Sequence, residues 1–164
     1  MRKKEHINRF VVHSGFTLLE LLVSVSIALI LATVAVPAFS SMIRGNSLSS
    51  YASELSTSLL LAKSEATKRS EIVTLTFQAG TDWSDGWRIN DSTGTLIKQF
   101  DGIDAIYSAS ASSSSLGFHN DGTTTTSSEF NIILKPVSGC TNDLVKVIRI
   151  SVIGTISVTD GTCS

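Results

Sequence analysis

Residues 21–43 are 23 consecutive positions without a charge, most of them Leu, Val, Ile and Ala. At about 1.5 Å per residue, roughly 20 such residues cross a bilayer core as a helix. A chain carrying this run is expected to meet a membrane. In front of it stand Arg2, Lys3, Lys4 and Arg9 against the single acid Glu5. A basic flank of that kind keeps its side in the cytoplasm, so the remainder should lie outside, in an oxidising compartment. One residue breaks the pattern: Glu20 is the only charge between residues 10 and 43. A carboxylate at the edge of a spanning helix is costly and by default marks a function with a partner.

Two simpler explanations fit less well. A secretory signal peptide has an apolar region of about 7–15 residues followed by small residues at a cleavage site. Here the run is longer, and Ser14-Gly15 precedes it. A plain signal anchor leaves Glu20 unexplained. Composition narrows the rest. Only 16% of the chain is charged, the formal charge is -1 and the pI is near 6.3. That excludes a strongly basic nucleic-acid binder. Residues 44–164 carry 9 basic and 12 acidic residues, with Ser and Thr where charges usually stand.

Beyond the run a second helical pattern begins. Leu48, Tyr51, Ala52, Leu55, Leu59, Ala62 and Ala66 recur at steps of three and four, one face of an amphipathic helix. Lys68 and Arg69 close it, where cations complement the helix dipole. A helix continuous from Thr17 to Arg69 would be about 80 Å long; Gly45-Asn46 is the place where it could break in two. After Arg69 the period becomes two. Val73, Leu75 and Phe77 alternate with Thr, a half-buried strand. Trp87 and Ile89, the turn Asp91-Ser92-Thr93-Gly94, and Leu96 to Phe100 predict a hairpin. Phe130, Ile132 and Leu134 alternate again. Leu144 to Ile153 reads as one long strand, turned by Gly154-Thr155 into Ile156 to Val158. Ser108 to Ser115 and Thr123 to Ser128 read as mobile hydroxyl-rich loops.

Cys140 and Cys163 are the only cysteines. An exported chain with an even count pairs them. Their spacing suits neither a C-x-x-C redox site nor a metal site. For catalysis the sequence offers little. Apart from the two histidines ahead of Gly15 there is only His119, in a Gly-Phe-His-Asn-Asp-Gly turn context. H-E-x-x-H, G-x-S-x-G and phosphate-binding glycine loops are all missing. Asp82, Asp85 and Asp91 do not follow a calcium-loop spacing and read as turn residues. The expectation is no enzyme, no cofactor and no metal.

Gly15-Phe16-Thr17-Leu18-Leu19-Glu20, followed by the apolar run and Pro37, resembles the processing signal of type IV pilins and type II secretion pseudopilins. The resemblance implies cleavage between Gly15 and Phe16 by a prepilin peptidase, which also methylates the new Phe16 amine. Gly15 would let the enzyme approach the backbone closely. Glu20 would pair with the amine of a neighbouring subunit during assembly, offsetting an insertion cost of about 2.5–3.5 kcal/mol. Pro37 would kink or loosen the helix. Leu61-Ala62-Lys63-Ser64-Glu65-Ala66-Thr67-Lys68-Arg69, a strand and then Gly86-Trp87 resemble the FimT/GspH branch of minor pilins and minor pseudopilins. Lys63 stands where that branch usually has Arg, and Thr67 where it usually has Ile.

The expected fold is α+β and pilin-like: a long N-terminal helix packed on an antiparallel β-sheet head. The expected organisation is a cleaved basic leader, 1–15; a transmembrane and filament-core helix, 16–43; an amphipathic helix of the head, 44–70; and a β-rich head with a C-terminal disulfide, 71–164. The implied partners are the peptidase/N-methyltransferase, other pilins or pseudopilins, the inner-membrane assembly platform and membrane lipid. The implied location is the bacterial inner membrane, single-pass, with the N-terminus cytoplasmic and the head periplasmic, and then a filament. The favoured function is a FimT-like minor pilin that assembles into, or primes, a type IV pilus. A GspH-type minor pseudopilin of type II secretion is the alternative. A DNA-binding minor pilin is a third reading. In members that bind DNA a GRxR-like segment carries the contact, and the matching place here, Gly154-Thr155-Ile156-Ser157, has no arginine.

Overall fold

A computed structural model of the chain describes residues 16–78, 82–141 and 144–163. Helix α1 runs Leu18–Arg69, 52 residues. Its start is set by Thr17, whose hydroxyl accepts the Glu20 amide at 3.2 Å while its carbonyl accepts the Leu21 amide at 3.1 Å. Thr17-Leu18-Leu19-Glu20 has the spacing of a capping box. The helix ends at Ser70, in the left-handed region at φ 57. There the Ser70 amide bonds the Thr67 carbonyl and the Glu71 amide bonds the Ala66 carbonyl, a Schellman pattern that satisfies the last carbonyls. The helix is unbroken at Pro37 and at Gly45-Asn46. The chain divides into two compact units at Ser40/Ser41.

The second unit, the head, is built on the amphipathic face read from the sequence. Leu48, Ala52, Leu55, Leu59, Ala62 and Ala66 are all buried, with Tyr51 packed at their side. Ser58 is buried on the same face; its hydroxyl turns back to the Leu55 carbonyl at 2.7 Å, so no polar atom is stranded.

Among the described residues eight strands come after the helix: β1 Val73–Phe77, β2 Trp87–Asn90, β3 Leu96–Phe100, β4 Tyr107–Ala111, β5 Ser115–Phe118, β6 Phe130–Pro136, β7 Lys146–Ile150 and β8 Ile156–Asp160. They form two four-stranded sheets in the orders β3-β2-β1-β5 and β4-β6-β7-β8, and every pairing within them is antiparallel. The chain crosses to the second sheet for β4, returns for β5, and finishes with β6 to β8. Alternate residues of both sheets face one core: Leu75, Ile89 and Leu116 from the first, Ile132, Ile148 and Ile150 from the second. Trp83 lies edge-on to Phe130, ring centroids 6.2 Å apart.

Two readings of the sequence need correction. Ser108 to Ser115 is not a loop: Ser108–Ala111 lies in β4, and Ser115 starts β5. In Tyr107-Ser-Ala-Ser-Ala111, Tyr107 and Ala109 are buried, and the strand is held by its ladder to β6. Small side chains hide the alternation that bulky ones would display. Leu144 to Ile153 is not one strand either. The strand stops at Ile150, and residues 151–155 form the turn, with the Gly154 amide bonded to the Ser151 carbonyl at 2.8 Å. The expected hairpin at Asp91 forms as β2–β3. The Thr93 hydroxyl and the Thr95 and Thr93 amides bond one Asp91 oxygen and hold its carboxyl below the usual carboxylate range.

Cys140 and Cys163 are disulfide-bonded, with Cα atoms 6.1 Å apart. The bridge ties the segment after β6 to the end of the chain beyond β8. Closing a loop of 23-residue separation is worth about 3 kcal/mol in the chain-entropy model. Reduction should therefore lower the melting temperature and speed amide exchange in β7 and β8 before β1 and β2. Two thiols that label in the unreduced protein would contradict the pairing.

Candidate functional site

Residues 16–36 are exposed on all sides of α1. Phe16 is 75% and Leu18 82% exposed, and no residue of the most apolar stretch is buried. A helix apolar all round is stable only where something covers it, a membrane or other helices. Its polar side chains suit such a setting. Ser24 and Ser26 donate to the Glu20 and Leu22 carbonyls, and Thr33 donates to the Ile30 carbonyl, at 2.7–2.8 Å. Each hydroxyl between residues 21 and 36 is thus satisfied within the helix. Glu20 is the exception. It sits in the first turn, where the dipole favours an anion, and its carboxylate has no partner among the described residues. Phe16 directly precedes the capping residue Thr17, so a chain beginning at Phe16 keeps the whole of α1. Gly15 and the basic leader lie outside the described residues. Pro37 lies within α1.

Sequence reasoning misses Thr17, although the T-x-x-E spacing is its signal. A second constellation has no local signal. The Lys63 ammonium donates to the Gly154 carbonyl at 2.8 Å. Gly154 and Gly122 both have positive φ, 74 and 83. A Cβ on Gly154 would collide with the Gly122 carbonyl oxygen, and one on Gly122 would collide with the Lys63 stem. The Thr124 amide and hydroxyl both bond the Val152 carbonyl. Two turns, 119–123 and 151–155, are thereby pressed together against α1 by one lysine.

The other candidate residues are not brought together. Asp82 caps the short turn Trp83–Asp85 by accepting from the Ser84 amide at 2.7 Å, and Asp91 organises its own hairpin. Among the described residues no group of three or more His, Cys, Asp or Glu could hold a metal ion. The His119 amide and carbonyl are used in the 119–123 turn. At the GRxR-like place Thr155 and Ser157 are exposed. Nearby cations are engaged: Lys146 pairs with Asp160 across β7–β8, and Arg149 lies 3.9 Å from Glu129. Phosphate binding grows with the number of Lys and Arg contacts, and residues 154–157 supply none.

Comparison with known proteins agrees with this geometry. A family model described as type II transport protein GspH matches residues 51–154. A second, the prokaryotic N-terminal methylation motif, matches residues 12–36. The fold is similar to that of the type IV minor pilin FimU of Pseudomonas aeruginosa, solved in two crystal forms. One matches with a TM-score of 0.62 and 26% identity over 70% of this chain and 89% of FimU. The other gives 0.59 and 24% over 68% and 91%, a likeness of fold. No curated protein matches the chain.

Proposed function

Since the chain belongs to the GspH family of type II transport proteins, we propose that it is a minor type IV pilin whose apolar helix packs into a pilus or the complex that primes it. In this reading a prepilin peptidase cuts between Gly15 and Phe16 and methylates the new amine. The product stays in the inner membrane with its head in the periplasm until an assembly platform extracts it among other pilins. The work is done by packing and not by chemistry, so no residue is assigned a catalytic role. The observation that carries the reading is the apolar stretch of residues 16–36, exposed and uncharged except for Glu20.

The likeness to FimU favours a pilus. The description of the family favours a minor pseudopilin of type II secretion, which is the second reading. Deleting the gene in its host separates them. The pilus reading expects loss of surface filaments, secreted enzymes unchanged, and the chain present in the sheared filament fraction of the complemented strain. Normal filaments with failed secretion would move the assignment to the pseudopilus.

A further inference from the structure

The uncharged run ends at Ile43, and Arg44 is the first cation beyond Glu20. Twenty-three uncharged residues exceed the roughly 20 that cross a hydrocarbon core, so Arg44 falls at the headgroup level on the far side. Arg44 belongs to the head, and two loops of the head close around it. The Tyr107 hydroxyl donates to the Arg44 carbonyl at 3.0 Å. A shallow pocket of about 80 Å³ is lined by Arg44, Ile106, Tyr107, Pro136 and Ser138. The Val137 amide bonds the Ile106 carbonyl at 2.9 Å, which locks the two loops side by side. Both present large apolar side chains to the outside, Ile106 at 51% and Val137 at 66% exposure. Of the two acids in this loop, Asp101 directly follows β3 at the loop's start, and Asp104 accepts the Ile106 amide at 3.3 Å, which turns its carboxylate back on the loop.

We propose that this end of the head docks on the lipid surface while the chain waits in the membrane, with Ile106 and Val137 entering the headgroup–acyl boundary and Arg44 lying among lipid phosphates. The inference rests on the reading of residues 21–43 as a membrane span. Continuity selects lipid as the occupant: Arg44 is covalently the next residue after the span, so the groups packed around it are held at the interface. Isolated apolar residues elsewhere on the head have no such tether. A cation beside exposed aliphatic side chains is the composition of an interfacial anchor. The docked head would be fixed in orientation relative to the membrane before extraction, and would lose that contact on entering a filament.

The test uses the full chain in vesicles of phosphatidylethanolamine and phosphatidylglycerol whose acyl chains carry bromine quenchers. Trp83 and Trp87 are each 1% exposed, so they supply a steady buried background. Val137→Trp should show blue-shifted emission, and the added signal should fall by roughly half on bromination, as expected for a side chain 5–10 Å below the surface. Ile153→Trp, on the turn beside Lys63 about five helical turns from Arg44, should be quenched no more than the parent chain. Flotation with the vesicles reports the span separately. A chain that floats while Val137→Trp stays at the parent level overturns the docking and leaves the span standing. Equal quenching at both positions overturns it, because the contact is then not confined to this end. A blue shift that appears without quenching and grows with protein density also overturns it, because a second copy then covers the surface. A chain that does not float overturns the span and the docking with it.

Discussion

Glu20→Ala is expected to leave leader removal intact and to cut the chain's share of assembled filaments on the order of tenfold, the equivalent of about 1.4 kcal/mol. The variant changes one charge and almost nothing else. The Thr17 cap acts through its own hydroxyl and the Glu20 amide, which alanine keeps, so the helix start survives. The carboxylate has no partner among the described residues. The helix dipole gives it a modest benefit within the chain; in the proposed assembly the larger one comes from a group on a neighbouring subunit. If that group is the Phe16 amine of a neighbour, alanine makes the lone subunit easier to hold in lipid while leaving the neighbour's amine uncompensated. Processing and membrane retention should be unchanged by immunoblot, with the loss confined to the filament fraction. Glu20→Asp should recover part of it, and Glu20→Gln, which bonds without charge, less. Normal incorporation of Glu20→Ala would remove the assigned role.

The second large effect lies in the head. Gly154→Ala should lower the melting temperature sharply and expose the 119–123 and 151–155 turns. A non-glycine residue in the left-handed region costs roughly 1–3 kcal/mol. Here the new Cβ also meets the Gly122 carbonyl oxygen, which is backbone and cannot rotate away. The turns would have to part, and the Lys63 bond to the Gly154 carbonyl would go with them. Against a typical domain stability of about 5–15 kcal/mol, that is a large fraction. Gly94→Ala is the useful contrast. Gly94 also has positive φ, 85, but nothing lies within 4 Å of its added Cβ, so only the backbone cost should appear. Equal melting temperatures for the two variants would show that the contact of the two turns contributes nothing.

The uneven legibility of the chain has physical causes. The apolar part of α1 can be read directly because its uncharged run is long, and its amphipathic continuation because a 3.6-residue period of Leu and Ala survives over several turns. Strands with Val, Leu, Ile, Trp or Phe at alternate positions, β1, β2 and β6, can be read for the same reason. β4 cannot, because its inward residues beyond Tyr107 are Ala109 and Ala111 and its outward ones are Ser, a sequence that matches a loop by composition. The end of β7 is obscured by Val152 and Ile153, apolar residues on an exposed turn. The pairing order of two separate sheets is a tertiary property, which no local pattern encodes. In the same way, Lys63 reads as a solvated helix residue until Gly122 and Gly154, remote in sequence, are placed against it. Glu20 is legible because a charge in an apolar run is conspicuous at any resolution of reading. Thr17 is not, because a hydroxyl ahead of a helix is commonplace.

In the proposed function this chain is cut at Gly15/Phe16 and assembled through the apolar helix that the cut leaves at its new N-terminus. Mass spectrometry of the protein extracted from its host's membranes tests it most directly. The expected result is a mature chain beginning at Phe16, one methyl heavier than the bare sequence, with the Cys140–Cys163 bridge closed. A chain that retains residues 1–15, or one that begins beyond residue 36 and has lost its apolar helix, would contradict it.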